Sequence, residues 1–474
     1  MQQPVAKKEH QEELAYTVRR RDPELVGPAA QTPRERKRLS ELDDVLRVHI
    51  PLALFYRGSG SSRDDGRRLD PARVIRDALG EALVQYYPLA GRLQEMEGGK
   101  LVVDCTGEGV LFVEADADVQ LAELEAAGGL TPPFPCWDQL LFDHDDDGLM
   151  MGVLNSPLLL IQVTRLLCGG FVLALRFNHT ICDGIGIAQF MNAVGELARG
   201  LPSMTVTPVW SRELLAIETP ADARPTTSTS SPHFVDALEL SPPPPPPPAG
   251  DMVMRSFVFS ASDVDAIKRG SSSSLLPRDT DTSTTTTTTT FEALAAFIWR
   301  ARTVALHLPA GQAAPLAISA NFRVAAAGMS LPAGYYGNAS PAPLTLFDAA
   351  ALSHGSLGDA VAVVRQLKAT VTAHYFRSIL DVLRQRRRWF LPANLFSISD
   401  TRRIGLDSVD LGWGTPVFAG PADTSFGVSF FITLKDDAQE NPAVVVPIVL
   451  PQPTMDRFTA QVESSLLDLT LTTA

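Results

Sequence analysis

The chain has 474 residues, 45% of them hydrophobic and 20% charged, with a formal net charge of −13. That length exceeds what one hydrophobic core usually holds, so two domains are expected, and the composition is that of a soluble globular protein. The acidic balance argues against a general nucleic-acid surface, because phosphate binding needs basic residues in excess, yet it leaves room for a local basic pocket.

Met1 to Glu13 is polar and charged and lacks the apolar stretch of a secretory signal, which points away from export. Asp70-Pro71 predicts a helix start, a capping carboxylate ahead of proline at the first helical position. Val74, Ala78, Leu79, Leu83 and Tyr86 supply its apolar face and Pro88 its stop. Leu101 to Val103 and Val110 to Glu114 read as strands around the turn Thr106 to Gly109. Asp143-His144-Asp145-Asp146-Asp147 offers oxygen ligands without ordered spacing and ends in Gly148, so it reads as a solvated loop and no metal site is assigned. Leu154 to Phe177 is interrupted by Arg165, Gly169-Gly170 and Arg176; it predicts two adjacent strands, not a membrane span. The cysteines Cys105, Cys136, Cys168 and Cys182 show neither CxxC spacing nor the density of a disulfide scaffold, and suit a reducing cytosol.

The second of those strands leads into His179-Thr-Ile-Cys-Asp183-Gly184. Phe171 to Asn178 is rich in β-formers, while Ile187, Phe190, Met191, Val194, Leu197 and Ala198 recur at helical spacing until Gly200 and Pro202. His179 therefore sits on a strand-turn-helix junction, a place from which a fold presents a general base. A satisfied structural histidine is the competing reading, and on this segment alone the two are balanced. Asp183 is either a second catalytic group or a charge that fixes the local backbone; Gly184, which relaxes the turn, favours the latter. Cys182 reads as a packing residue in preference to a nucleophile.

Between Leu201 and Gly250 the composition shifts to proline, threonine and serine, ending in Pro242 to Pro248, a stiff extended spacer. It divides the chain into an N-terminal domain 1–205, a crossover 206–252 and a C-terminal domain 253–474. Past a strand at Ser256 to Ser260 come Ser271 to Ser274 and Thr284 to Thr290, whose first part reads as a surface insertion. Thr289 and Glu292 then form a capping box for a helix over Phe291 to Thr303. Strands are expected over 315–319, 424–433 and 444–450, and one long helix over 357–384. The basic run Arg384 to Arg388 either attracts phosphates or is a solvated helix end. Asp410-Leu-Gly412-Trp413-Gly414-Thr-Pro416 reads as a rigid loop, and Met455 to Phe458 begins a final amphipathic helix.

His-x-x-x-Asp-Gly at 179–184 and Asp-Leu-Gly-Trp-Gly at 410–414, in this order and far apart, resemble the paired signatures of the plant BAHD acyl-CoA-dependent acyltransferases. Leu39-Ser-Glu-Leu-Asp43, Tyr86 to Leu93, Asn321-Phe-Arg323 and Gly334-Tyr-Tyr-Gly-Asn338 extend the resemblance over nearly the whole chain. Pro133-Phe-Pro135 and Gly152-Val-Leu-Asn155 resemble the subgroup of benzyl alcohol benzoyltransferases and related alcohol acyltransferases.

The resemblance implies a mixed α/β (α+β) fold of two chloramphenicol-acetyltransferase-like domains, each a mixed sheet with flanking helices, joined by a long crossover loop and enclosing a channel. It implies His179 as general base with Asp183 and Asp410 as its companion motif acids. Asp183 would orient the histidine loop by pairing with an arginine, for which Arg323 is the candidate. Asp410, Gly412, Trp413 and Gly414 would form a mainly architectural loop on the coenzyme side, where Leu411 replaces the family's phenylalanine and removes aromatic packing. Ile50 and Leu54 stand where relatives with polar acceptors carry polar side chains; they either favour an apolar acceptor or are ordinary core. The implied reaction moves an aromatic acyl group, benzoyl foremost, from coenzyme A to a small hydrophobic alcohol in a cytoplasmic monomer, with acyl-CoA as co-substrate and no permanently bound cofactor. Acetyl or hydroxycinnamoyl donors, amine acceptors, and a protein that binds the thioester without turnover are the alternatives.

Overall fold

In the computed structural model of the chain the described residues are 14–58, 69–142, 152–215, 252–271, 287–309, 311–323, 330–385, 392–424, 427–435 and 442–471. The aspartate-rich run 143–147, the proline run, most of the serine and threonine tracts and the basic run at 386–388 lie outside them.

The architecture is mixed α/β, carried by two large sheets and one small one. The first sheet runs Val18–Arg20, Val110–Ala117, Leu159–Arg165, Phe171–Asn178, His49–Tyr56 and Phe418–Pro421, with Glu24–Val26 also paired to Val110–Ala117. Its pairs are antiparallel except Val110–Ala117 with Leu159–Arg165. The second sheet runs Met252–Phe259, Ala443–Pro451, Val428–Leu434, Phe396–Asp400, Ala313–Ile318 and Leu344–Asp348, and Phe396–Asp400 is parallel to both its neighbours. Near-continuous apolar sequence in Phe171–Asn178 and Ala443–Pro451 follows from burial on both faces.

Helix Pro71–Gln85 packs on helix Gly184–Ala198 and buries Ala72, Ile75, Ala78, Leu79, Ala82 and Leu83, close to the expected face. Asp70 is its N-cap residue but makes no side-chain cap hydrogen bond. Its carboxylate instead accepts a two-pronged contact from Arg165, at 2.6 and 2.7 Å, a stronger partner than a backbone amide.

The strands expected on either side of the 106–109 turn are present as Leu101–Asp104 and Val110–Ala117, and the former pairs with Arg36–Arg38 and Arg92–Glu95 in the small sheet. Gly107 and Gly109 turn the chain between them with φ of +64° and +106°, and a Cβ at Gly109 would strike the Val26 carbonyl. Two other expectations are corrected. The single long helix is two, Leu357–Ala369 and Ala373–Gln385. Between them lie the β-branched Thr370, Val371 and Thr372, and the Thr372 hydroxyl accepts the Tyr375 amide at 3.1 Å, starting the second helix. Finally, the strand expected over 424–433 is Val428–Leu434, and Phe418–Pro421 ahead of it lies in the first sheet, paired with His49–Tyr56. The Thr289–Glu292 capping box is present, opening helix Thr290–Leu306.

Phe418–Pro421 carries late sequence into the early sheet, and the side chains follow. One buried cluster joins Ala53, Phe55, Phe134 and Val172 to Phe418, Phe430, Ile432 and Val445, with the Phe55 ring 4.9 Å from Phe134 and 6.0 Å from Phe418. The two large sheets are thus tied by apolar packing where the chain passes between them.

Candidate active site

Strand Phe171–Asn178 delivers His179 and helix Gly184–Ala198 departs from Asp183, so the turn between strand and helix is residues 179–183. The turn is tightly bonded. The His179 amide donates to Val48 O at 2.8 Å, and Asn178 Oδ1 accepts both the Thr180 amide at 3.1 Å and its hydroxyl at 2.8 Å. His179 is half-buried as a residue, and its Nδ1 is sealed from water and carries no hydrogen bond. Burial holds the imidazole below its ordinary pKa, against the opposing pull of the Asp183 and Asp43 carboxylates. A neutral ring at neutral pH is the form that can accept a proton.

Asp183 does not face that ring as a free acid. Its side chain caps the helix by accepting the Gly186 amide at 3.0 Å, and it accepts Arg323 Nη1 and Nη2 at 2.9 and 2.8 Å. The Ala339 amide at 3.1 Å and the Ser340 hydroxyl at 2.9 Å fill its remaining capacity. Burial by itself would raise this carboxyl, yet the Arg323 charge and those donors hold it below the usual carboxylate range. Four protein partners leave it no lone pair for chemistry.

The loop 334–340 is the wall against which the motif rests. Arg323 also donates to the Tyr335 and Gly337 carbonyls, and Asn338 Nδ2 donates to the His179 carbonyl at 2.8 Å. The approach is close because Gly186 lacks a side chain; a Cβ there would overlap the Tyr336 carbonyl. Gly184, expected to relax the turn, does not adopt positive φ. It is the first helical residue, and a Cβ on it would lie 3.3 Å from Ile404 Cδ1.

The second motif closes the other end of the same strand and helix. Trp413 packs edge-on against Phe171 at 5.3 Å, Tyr56 stacks on Phe171 at 4.6 Å, and the Tyr56 hydroxyl donates to Val409 O at 2.9 Å. At the end of the helix Arg199 donates to the Asp410 carbonyl. The strand takes eight extended steps from Phe171 to His179, so this loop sits roughly 25 Å from the imidazole. Asp410 Oδ1 accepts the amides of Gly412 at 2.8 Å and Gly414 at 3.0 Å, bonds that need the positive φ of both glycines, +98° and +82°. Leu411 is fully buried in the first core.

Ile50 and Leu54 are buried in that same core, on the face of the strand that also carries Leu52 and Tyr56. Cys182 is buried and its thiol is pushed far up by desolvation, so it is held protonated. A cleft of about 240 Å³ runs along the outer face of helix Gly184–Ala198, lined by Ile185, Gln189, Asn192, Glu196, Val206 and Ile404, and His179 is not among its lining residues. Among the described residues no group of three or more His, Cys, Asp or Glu side chains could hold a metal, and no helix is long and apolar enough to cross a membrane. Sequence reading gave no role to Asp43, Arg212, Asn338 or Ser340, which the fold brings to the motif, although Asp43 and Asn338 end two of the segments that carry the resemblance and Ser40 to Asp43 shows a capping pattern.

Fold and site together define an acyltransferase. The chain matches the transferase family over residues 16–465 and belongs to it, as a BAHD acyl-CoA-dependent acyltransferase closely related to the benzyl alcohol O-benzoyltransferases. It is 43% identical over 462 residues to a benzyl alcohol O-benzoyltransferase of Nicotiana tabacum, covering 96% of this chain and 95% of that one. A (Z)-3-hexen-1-ol acetyltransferase of Arabidopsis thaliana is 42% identical, with 96% of each chain covered. The crystal structure of vinorine synthase shares the fold with a TM-score of 0.67 at 22% identity, covering 96% of this chain and 98% of that one. So does TRI101 of F. graminearum, solved with coenzyme A and T-2 mycotoxin, with a TM-score of 0.66 at 15% identity over 90% and 97% of the two chains. The protein is an acyl-CoA-dependent O-acyltransferase, with acyl-CoA as a transient co-substrate.

Proposed function

We propose that this enzyme transfers an aromatic acyl group, benzoyl foremost, from coenzyme A to a small hydrophobic alcohol such as benzyl alcohol, with His179 as general base. The observation that supports the catalytic reading is a half-buried histidine at the strand's end, its pKa lowered by burial, whose motif acid is wholly occupied by Arg323, the Gly186 and Ala339 amides and the Ser340 hydroxyl. Neutral His179 takes the acceptor's hydroxyl proton as the oxygen attacks the thioester carbonyl. The tetrahedral adduct collapses with cleavage of the carbon–sulfur bond, and the imidazolium returns the proton to the departing thiolate. No covalent enzyme intermediate is needed. Asp183 and Arg323 orient the loop, while Asp410, Gly412, Trp413 and Gly414 hold the far end of the strand and helix.

The benzoyl and benzyl preference rests on likeness to the Nicotiana tabacum enzyme. Acetyl transfer to an aliphatic alcohol is the second reading, favoured by the Arabidopsis thaliana relative. The division into 1–205, 206–252 and 253–474 is retained as a proposal, with Phe418–Pro421 lent to the first sheet. A cytoplasmic location is supported by four cysteines without a disulfide among them, as a reducing compartment would leave them.

The test crosses benzoyl-, acetyl- and hydroxycinnamoyl-CoA with benzyl alcohol, hexenol and the matching amines. Benzoyl-CoA with benzyl alcohol is expected to give the highest kcat/KM; acylation of amines alone would overturn the assignment. His179→Ala should lower kcat by about a hundred- to ten-thousand-fold while coenzyme binding persists.

A further inference from the structure

The motif loop is gripped by a second buried ion pair in which the motif acid has no part. Asp43, fully buried, and Arg212, 2% exposed, pair at 3.0 Å. Arg212 Nη2 donates to the Ile181 carbonyl at 2.7 Å, two residues beyond the histidine. Asp43 Oδ1 accepts both the backbone amide of Asn338 at 3.1 Å and its side-chain amide at 2.8 Å. That same Asn338 Nδ2 donates to the His179 carbonyl at 2.8 Å. One ion pair therefore reaches the loop at two carbonyls, on either side of Thr180.

The surroundings are shaped for this arginine. Its guanidinium lies 4.3 Å from the Trp210 ring centre and 5.1 Å from those of Tyr335 and Tyr336, and a Cβ at Gly337 would overlap it. Asp43 is oriented in turn by the Ser40 amide at 2.9 Å and hydroxyl at 2.8 Å. Three distant parts of the chain, Glu41–Val45, Arg212–Leu215 and the 334–340 loop, converge here. Burying an opposed pair of charges is weak as a source of stability, because well-packed apolar residues often do as well. An ion pair kept in this place is better explained by the directional hold it gives.

We propose that Asp43 and Arg212 are positioning residues for acyl transfer: by fixing the His179 and Ile181 carbonyls they set the angle at which the imidazole meets the acceptor hydroxyl. The inference rests on the reading of His179 as general base. It differs from the Asp183–Arg323 pair in what it holds, since that pair grips the loop four residues downstream, whereas this one holds the Ile181 carbonyl directly and the histidine's own carbonyl through Asn338.

A mutant cycle on the full chain tests it, using the acyl-CoA and alcohol that the parent turns over best. Arg212→Met should lower kcat by about a hundred-fold, as misplacement of a reacting group does, with acyl-CoA affinity within about twofold of the parent by calorimetry. In the His179→Ala background the same substitution should leave the residual rate unchanged, because the group it positions is gone. Equal losses in both backgrounds, or parent kcat in the folded Arg212→Met protein, would overturn the inference. Parent turnover by His179→Ala would instead defeat the general-base reading, so the two failures are distinguishable. Should Arg212→Met not fold, Arg212→Lys keeps the charge but not the two-armed reach; a parent-like kcat there sinks the proposal, and a large loss cancelled by His179→Ala supports it.

Discussion

Arg323 reaches Asp183 across a sequence separation of 140 residues and closes a two-pronged ion pair, with nitrogen to oxygen distances of 2.9 and 2.8 Å. Both side chains are largely buried, at 13% and 6% exposure, so neither charge has water to fall back on. Removing one partner strands the other. Asp183→Asn and Arg323→Met should each destabilise the fold by about 3–5 kcal/mol in urea titrations, and the double variant should lose clearly less than the sum. Strict additivity would show that the two residues do not couple.

The pH dependence has a definite sign. The His179 pKa is depressed, and in the proposed general-base role the ring must be neutral, so kcat/KM should fall on the acid side with a midpoint below about 6.5, the ordinary imidazole value. Stability moves the same way. As pH falls through about 6.5 the unfolded chain binds a proton that the folded ring resists, and stability declines until the folded ring is protonated. Asp183, also depressed, contributes stability that is complete above its unfolded value of about 3.9 and is lost as pH falls through the lower folded value. Urea midpoints across this range should drop with acidification; an activity limb centred above 6.5 would contradict the buried-imidazole account.

Asp410 is a loop former by geometry, accepting the Gly412 and Gly414 amides at the far end of the strand from His179. Asp410→Asn keeps an acceptor oxygen and should retain kcat within about threefold, whereas Asp410→Ala leaves two amides unpaired and should cost about 1–3 kcal/mol of stability. A loss of kcat beyond a hundred-fold in Asp410→Asn, with the fold intact, would restore a catalytic role.

Leu411 has no exposed surface, and its place in the first core is filled. Leu411→Ala should cost about 2–5 kcal/mol. Leu411→Phe adds volume to a closed site and should cost about 1–3 kcal/mol; a rise in thermal midpoint would mean that an unfilled space exists beside it.

Helix Gly184–Ala198 and its strand were readable because their signal is local: β-formers, a turn, then apolar residues at helical spacing. The break at Thr370 to Thr372 was not, since apolar periodicity continues through it and only β-branching marks the stop. Phe418–Pro421 was missed because four residues containing glycine and proline have little strand propensity. Their partner strand supplies the reason to extend. Asp70 is the helix N-cap as read, but that its carboxylate also binds Arg165, 95 residues away, had no local mark.

From the order of residues alone came the family, the mixed α/β class and the histidine at a strand's end, because motif spacing and hydrophobic period are properties of short stretches of chain. What holds that histidine was decided only by folding. Arg323, Asn338, Asp43 and Arg212 are distant in sequence, and their hydrogen bonds to the 179–183 turn exist once the sheets have buried them together. A charge carries no mark of its partner until both lose water, so the pairing belongs to tertiary structure.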